Sequence, residues 1–299
     1  MTELAPISVT VYNRFSHFRR CIEGLRADPL SYKSDLFIYS DAPRPGDEVE
    51  VNEIRKFSSR ITGFRSVNLR FAHKNDPADN MLRARNEALQ IYGKIIRLED
   101  DIFVAPGFLS FMNECLNKYE NNNEILNVCG YCFPQLNNIS NCDVFRAKRT
   151  TAWGIGFWLR TLPYIENEVN ISEILQMFNR RESSRDRDLI LKLILAYQRG
   201  IFAGDLRQSY HQVNENLYTI YPRRSLVQNF GHDGSGLNSR VTFDYIHENL
   251  WDKKFGFNIP SNVNDVPDFT RLLLASREIK FSGKLRLKFY EILNRFGVA

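Results

Sequence analysis

The sequence predicts an α/β fold: a doubly wound, mostly parallel sheet flanked by helices, with a helical extension at the C-terminus. Three observations carry this. Short apolar runs alternate with segments of helical period through the first 130 residues. One of those helices carries both its start and its stop signals. A strand also runs straight into Glu99-Asp100-Asp101, an acidic cluster at the strand end where ligands of such sheets sit.

Taken in order, Ile7 to Tyr12 reads as a strand, and Phe18, Cys21, Ile22 and Leu25 then recur at helical spacing from Ser16 onward. Asp35 to Ser40 is a second strand, ended by Asp41-Ala-Pro-Arg-Pro-Gly46, and residues 47 to 62 are helix-like. Val67 to Phe71 is a third strand. In the helix that follows, Asp76 serves as N-cap, Pro77 suits the first helical position and Gly93 ends the run. Lys94 to Leu98 is the strand that enters the acidic triplet. After Pro106, Phe108, Phe111, Met112, Cys115 and Tyr119 mark a helix, and Ile125 to Cys129 a further strand. Beyond this the pattern is less regular. Leu189, Ile190, Leu193, Ile194 and Tyr197 form one apolar helical face closed by Gly200, and 214 to 239 reads as loop.

The composition is that of an ordinary globular protein, with 43% hydrophobic and 25% charged residues. A net charge of +5 suits anionic ligands or an anionic membrane surface, and no basic tract with interleaved aromatics marks a nucleic-acid footprint. The first residues lack the basic segment and apolar stretch of a signal peptide, and no window approaches the roughly 18 apolar residues of a membrane span. Five cysteines are odd in number and unevenly spaced. Cys129-Gly-Tyr-Cys132 has metal-ligand spacing, but no second pair accompanies it, so buried thiols in a reducing cytoplasm are expected. No linker is visible. The expected organisation is one domain over 1–270, with a ligand-binding half (1–130) and a second half (131–270), followed by a basic amphipathic tail (271–299).

Three acids in a row at a strand end require a positive partner. A divalent cation, Mn²⁺ or Mg²⁺, bridging a diphosphate is one; a solvated turn is the plain alternative. Tyr12-Asn13-Arg14 after the first strand, Asp41 after the second, Arg85-Asn86 on the Pro77 helix and Leu98-Glu-Asp-Asp-Ile102 together resemble the donor half of GT-A glycosyltransferases. The nearest likeness is to the inverting N-acetylglucosaminyltransferase I-like group and to bacterial family 2 sugar transferases, over residues 5 to 240. That resemblance implies that Tyr12, Asn13 and Arg14 line the base and pyrophosphate pocket. Asp41 would accept hydrogen bonds from the base, unless it only forms the turn before Ala42-Pro43. It further implies that Glu99 and Asp100 lie at the donor, with Asp100 on the ribose or metal, and that Asp101 ligates the metal. Arg85 shares a helical stripe with Met81, Ala84 and Ala88, so it should face inward and need an anion, either the pyrophosphate or the triplet.

Further blocks complete the likeness. Thr151-Ala-Trp-Gly-Ile-Gly-Phe-Trp158 resembles the segment whose Trp-Gly, here Trp153-Gly154, walls the sugar and acceptor site; an aromatic core strand is the alternative. In Arg185-Asp186-Arg187-Asp188, Asp186 matches the catalytic base and Asp188 is the reserve, although Arg185 replaces the usual Trp, and Asp186 could equally cap the helix. Gln228-Asn-Phe-Gly-His-Asp-Gly-Ser-Gly236 resembles a flexible closing loop, with His232 reaching phosphate or metal. The implied activity is inverting transfer from a nucleotide-sugar, UDP-GlcNAc first, to a glycan or lipid-linked glycan acceptor in bacterial surface polysaccharide synthesis. The tail would provide peripheral contact with the inner membrane. A sugar-phosphate nucleotidyltransferase would need a glycine-rich phosphate loop where Tyr12-Asn13-Arg14 stands, and an inactive glycan-binding scaffold would not need Asp101 and Asp186 together.

Overall fold

The apolar runs form the strands. β1 (Ile7–Val11), β2 (Asp35–Ser40), β3 (Ser66–Phe71), β4 (Lys94–Glu99) and, after the short β5 (Ile102–Val104), β6 (Ile125–Cys129) match the sequence pattern closely. The structure, a computed structural model, describes residues 3–179, 183–200, 202–235, 241–242, 245 and 249–266; the side chains of 178–179 and 183–187 also fall outside that description. The tail expected over 271–299 therefore lies outside the described residues. Three further strands complete an eight-stranded sheet: β7 (Val144–Ala147), β8 (Ile155–Trp158) and β9 (Tyr218–Pro222). Its order is β3-β2-β1-β4-β8-β6-β9-β7, and β10 (Val227–Asn229) pairs antiparallel with β5 in a separate ribbon.

β1 to β4 are mutually parallel, so their ends open on one edge, and β6 and β9 run the same way. β8 is antiparallel between β4 and β6, and β7 is antiparallel at the far edge. The sheet is thus mixed rather than simply parallel. Helices cover both faces, which is why β2 is buried at every position. α1 (Phe15–Ala27) and α4 (Phe108–Lys118) pack one side of the sheet through Phe18, Ile22, Leu25, Phe108 and Met112. α2 (Glu48–Ser58) adds Ile54 to the same core. α3 (Pro77–Tyr92) packs the other side through Ala84, Ala88 and Leu89. Its ends obey the sequence signals: Asp76 accepts from the Asp79 amide at 3.1 Å, Pro77 opens the first turn, and Gly93 stops it at φ +70°.

Several elements differ from the sequence expectation. The stretch 214–239 is not loop, because β9 and β10 lie within it. The 151–158 block divides, since Ile155–Trp158 is a buried central strand and only 151–154 remains outside it. α5 (Pro163–Glu166), α6 (Ile171–Asn179), α7 (Ser183–Arg199) and α8 (Gly204–Glu215) fill the second half. Leu189, Ile190, Leu193 and Ile194 pack with Ile174, Met177 and Tyr210 in their own cluster, whereas Tyr197 is 47% exposed and leaves the expected apolar face.

The start of β2 is pinned by Asp35. Its carboxylate accepts from Arg65 Nε at 2.8 Å, Ser66 Oγ at 2.7 Å and Tyr92 Oη at 2.6 Å, tying β2 to β3 and to the end of α3. The Arg65 hydrogen bond leads in holding this carboxyl below the usual range, against the opposing effect of burial. Asp35→Ala is expected to cost about 2 kcal/mol at neutral pH, read by urea denaturation. Because the folded carboxylate ionises more readily than the unfolded one, the contribution is present above about pH 4 and is lost as pH falls.

Candidate active site

The loop after β1 and the turn after β4 meet because their strands are neighbours, with Thr10 in register with Glu99. Arg14 leaves the first and lies across the second. Its Nη2 donates to Asp101 Oδ2 at 2.9 Å and also to Asp100, while Nε donates to Asp100 Oδ2 at 3.3 Å. Asp100 and Asp101 are 4% and 8% exposed. Burial pushes Asp100 up to about 7 against the pull of Arg14, and the neighbouring Asp101 and Glu99 charges add to the rise. Burial alone would lower the guanidinium, but Asp100 and then Asp101 outweigh it and hold Arg14 firmly charged. Asp101 Oδ1 is buried and has no hydrogen-bond partner among the described residues.

The second half closes on the same turn. β10 pairs with β5 so that Asn229 lies opposite Ile102, and the Phe230 amide donates to the Asp101 carbonyl at 2.9 Å. Asn229 Oδ1 accepts from the Gly231 amide at 2.7 Å. A Cβ at Gly231 would lie 2.1 Å from Asp101 Oδ2. His17 Nε2 lies 3.1 Å from Asp233 and Arg20 stacks over Phe230 at 4.2 Å, so this loop is fastened to α1 rather than hanging as a free lid. His232 packs edge-on to Trp153 (5.4 Å) and beside Tyr245 (4.5 Å), and its Nδ1 is buried without a partner among the described residues. A cavity of about 340 Å³ opens here between His17, Arg20, Phe230 and His232. A larger one, about 530 Å³, lies by Lys118 and Asn122 just before β6, at the far end of the sheet from the acids.

Trp153 and Gly154 sit just before β8, beside the ends of β4 and β6. A buried polar network holds the approach to them. Asn127 donates to Thr150 (3.0 Å) and Gln208 (2.7 Å), Thr150 donates to Gln212 (3.0 Å), and Gln212 donates to Thr219 (2.7 Å). Arg149, buried beside it, pairs with Asp188. Asp205, at the start of α8, was not singled out in the sequence. Its pKa is raised by burial, and its charge also raises that of Glu99. Glu99 keeps 45% of its side chain open but is enclosed enough that burial raises it too, with Arg97 opposing.

The remaining expected residues fall as follows. Tyr12 and Asn13 both donate to Asp47, next to the first turn of α2, and Tyr12 Oη accepts from the Arg44 amide at 2.9 Å. Asp41 is buried and accepts from the Ala42 and Asp76 amides and from Asn75, so it ties the end of β2 to the start of α3. Arg85 faces inward as expected, its side chain 11% exposed beside buried Ala84 and Ala88, although Met81 of the same stripe is 46% exposed. The anion that meets it is Glu166 rather than the triplet. Asp186 lies within α7 as described from Ser183, which excludes it as the N-cap; its side chain lies outside the described residues. The five cysteines are free, four of them buried, and Cys129 donates to the Thr151 carbonyl, with burial pushing its thiol up to about 12. No group of three metal-ligating side chains occurs among the described residues, and no described helix is long and apolar enough to cross a membrane.

No family model matches the sequence, and no curated protein matches it. Among solved structures, the chain is similar to TarS of S. aureus at 11% identity and TM-score 0.32, over 46% of this chain and 24% of that one. It thus spans about a quarter of that protein. The 1–349 segment of TarS gives 12% identity and TM-score 0.38, over 70% of this chain and 72% of that one. The mannosyltransferase PcManGT from Pyrobaculum calidifontis, in complex with GDP-Man and Mn²⁺, gives 12% and 0.37, over 63% and 52%. At TM-scores this low, none of these likenesses carries an inference about activity.

The contact at Gly231 generates a direct expectation. Gly231→Ala forces a methyl group onto the Asp101 carboxylate and should cost about 1 to 3 kcal/mol in thermal or urea denaturation. Gly204→Ala, whose added carbon meets only Ile165 at 3.4 Å, should stay within about 0.5 kcal/mol.

Proposed function

We propose that this chain is an inverting glycosyltransferase of the GT-A type that moves a sugar from a nucleotide-sugar to a glycan or lipid-linked glycan. A UDP-sugar is the first donor to test, and bacterial surface polysaccharide the setting. The observation that supports this most is Asp101: a buried carboxylate at a sheet end, with one oxygen on Arg14 and the other without a partner among the described residues. Hard divalent cations take such carboxylate oxygens together with phosphate oxygens, so Asp101 and Asp100 suit Mn²⁺ or Mg²⁺, and His232 is proposed to reach the cation or its phosphate once the donor is bound. A cation there would neutralise the departing diphosphate.

The chain's own groups supply the rest of the proposed reaction. The donor lies over the ends of β1 and β4, with Tyr12 and Asn13 near the base and Trp153-Gly154 against the sugar. An acceptor hydroxyl enters from the α7–α8 side and attacks the anomeric carbon as the sugar–phosphate bond breaks, and Asp186 takes its proton. Asp188 serves better as the partner that keeps Arg149 from lying buried and unpaired. Contact with the cytoplasmic face of an anionic membrane through 271–299 belongs to the same proposal and rests on the sequence of that tail.

Calorimetric titration with a panel of nucleotide-sugars, with and without Mn²⁺, is the first test. Cation-dependent binding is expected in the wild type and its loss in Asp101→Asn at unchanged melting temperature; full transfer activity in EDTA would remove the metal from the proposal. Asp186→Asn should lower transfer by about 100- to 10,000-fold with nucleotide binding intact. Asp188→Asn should instead lower stability, and a larger catalytic loss there, with the fold preserved, would reverse the two roles.

A further inference from the structure

Arg14 does to the two aspartates what a divalent cation would do. One nitrogen, Nη2, is shared between Asp100 and Asp101, and Nε reaches the second oxygen of Asp100. Three of the four carboxylate oxygens in the pair are therefore taken by one guanidinium. The fourth, Asp101 Oδ1, has no partner among the described residues, on a side chain that is only 9% exposed. Both oxygens of Asp100 are taken by the guanidinium, so a cation held by the two acids together has to displace it from Asp100. Arginine stays protonated throughout the physiological range, so it cannot make room by losing its proton. It must move.

It also can move. Arg14 precedes the first turn of α1, makes no side-chain cap bond there, and is 19% exposed. We propose that Arg14 is a resident cation of this site: it holds the acidic pair while the site is empty, and cation binding expels it toward the donor diphosphate. The inference rests on the donor site proposed above. A guanidinium fork matches phosphate oxygens as well as it matches carboxylates, so the expelled side chain exchanges one anion for another. Cation and nucleotide are then coupled, because each favours the arrangement in which Arg14 has left the acids.

The test is Mn²⁺ binding to the full chain, followed by the electron paramagnetic resonance of free Mn²⁺, with and without UDP. Arg14→Gln should bind Mn²⁺ at least tenfold more tightly than the wild type when UDP is absent. UDP should tighten Mn²⁺ binding more in the wild type than in Arg14→Gln, and at saturating Mn²⁺ the variant should bind UDP at least tenfold more weakly. If the wild type takes up Mn²⁺ with UDP but Arg14→Gln binds Mn²⁺ no more tightly, the inference falls and the donor site stands. If no form binds Mn²⁺ under either condition, the cation site itself falls and takes the inference with it. A measurement on the wild type alone covers the case in which the variant does not fold. The Arg14 Nε–H resonance should shift on addition of diamagnetic Mg²⁺ and UDP as its partner changes from the Asp100 carboxylate to phosphate; a resonance that does not move would overturn the proposal.

Discussion

Burying a carboxylate costs several kcal/mol, and Asp100 and Asp101 are adjacent and both buried. Arg14 is what makes this arrangement tolerable, and its reach dictates much of the surrounding structure. The guanidinium can span both acids only if the β1 loop arrives at the end of β4, which the parallel pairing of those strands in register brings about. The loop must also be rigid, since a freely moving arginine would give up in entropy much of what the ion pairs contribute. Tyr12 and Asn13 provide that rigidity by anchoring on Asp47, and Asp41 fixes the next strand end to Asp76. Carboxylates therefore hold three successive strand ends of this half.

The second half reaches the same point by different means. No further ion pair ties it to Asp100 or Asp101 among the described residues. Instead β10 lies along β5, the Phe230 amide bonds the Asp101 carbonyl, and Gly231 approaches so closely that no side chain fits. The Trp153 loop is placed by neutral hydrogen bonds through Asn127, Thr150, Gln208, Gln212 and Thr219. A buried neutral network of this kind is worth little net energy but tolerates few alternatives, because each unmade bond leaves a buried group unsatisfied.

This division explains what the sequence disclosed. The first half was legible because its elements obey period and punctuation: apolar runs of five or six residues, and a helix marked by Asp76, Pro77 and Gly93. α8 was not, because the residues it buries include Gln208, Ser209, His211 and Gln212, which spoil any apolar stripe. β5 and β10 have three residues each, too short for a periodic signal. In the site, the acidic turn was visible as a motif, but its counter-charge was not. Helical periodicity pointed to Arg85, while the residue that meets the acids, Arg14, stands before a helix where periodicity says nothing.

Strand geometry settles why Arg85 meets a different anion. Along β4, Ile96 and Leu98 face the α1–α4 core, whereas Ile95 belongs to the α3 core, so Arg97 and Glu99 share the α3 side by alternation. Arg85 and Glu166 lie on that side as well, and Arg97 pairs there with Glu99. Asp100 and Asp101, in the turn beyond the strand, point instead toward the β1 loop. Three acids consecutive in sequence are therefore two systems in space. Asp100 and Asp101 form one with Arg14. Glu99 looks toward Asp205 and the second half, with its carboxyl raised by burial and by both acidic neighbours, Asp101 and Asp205. A ligand that engages the aspartates would thus leave Glu99 facing the α8 side.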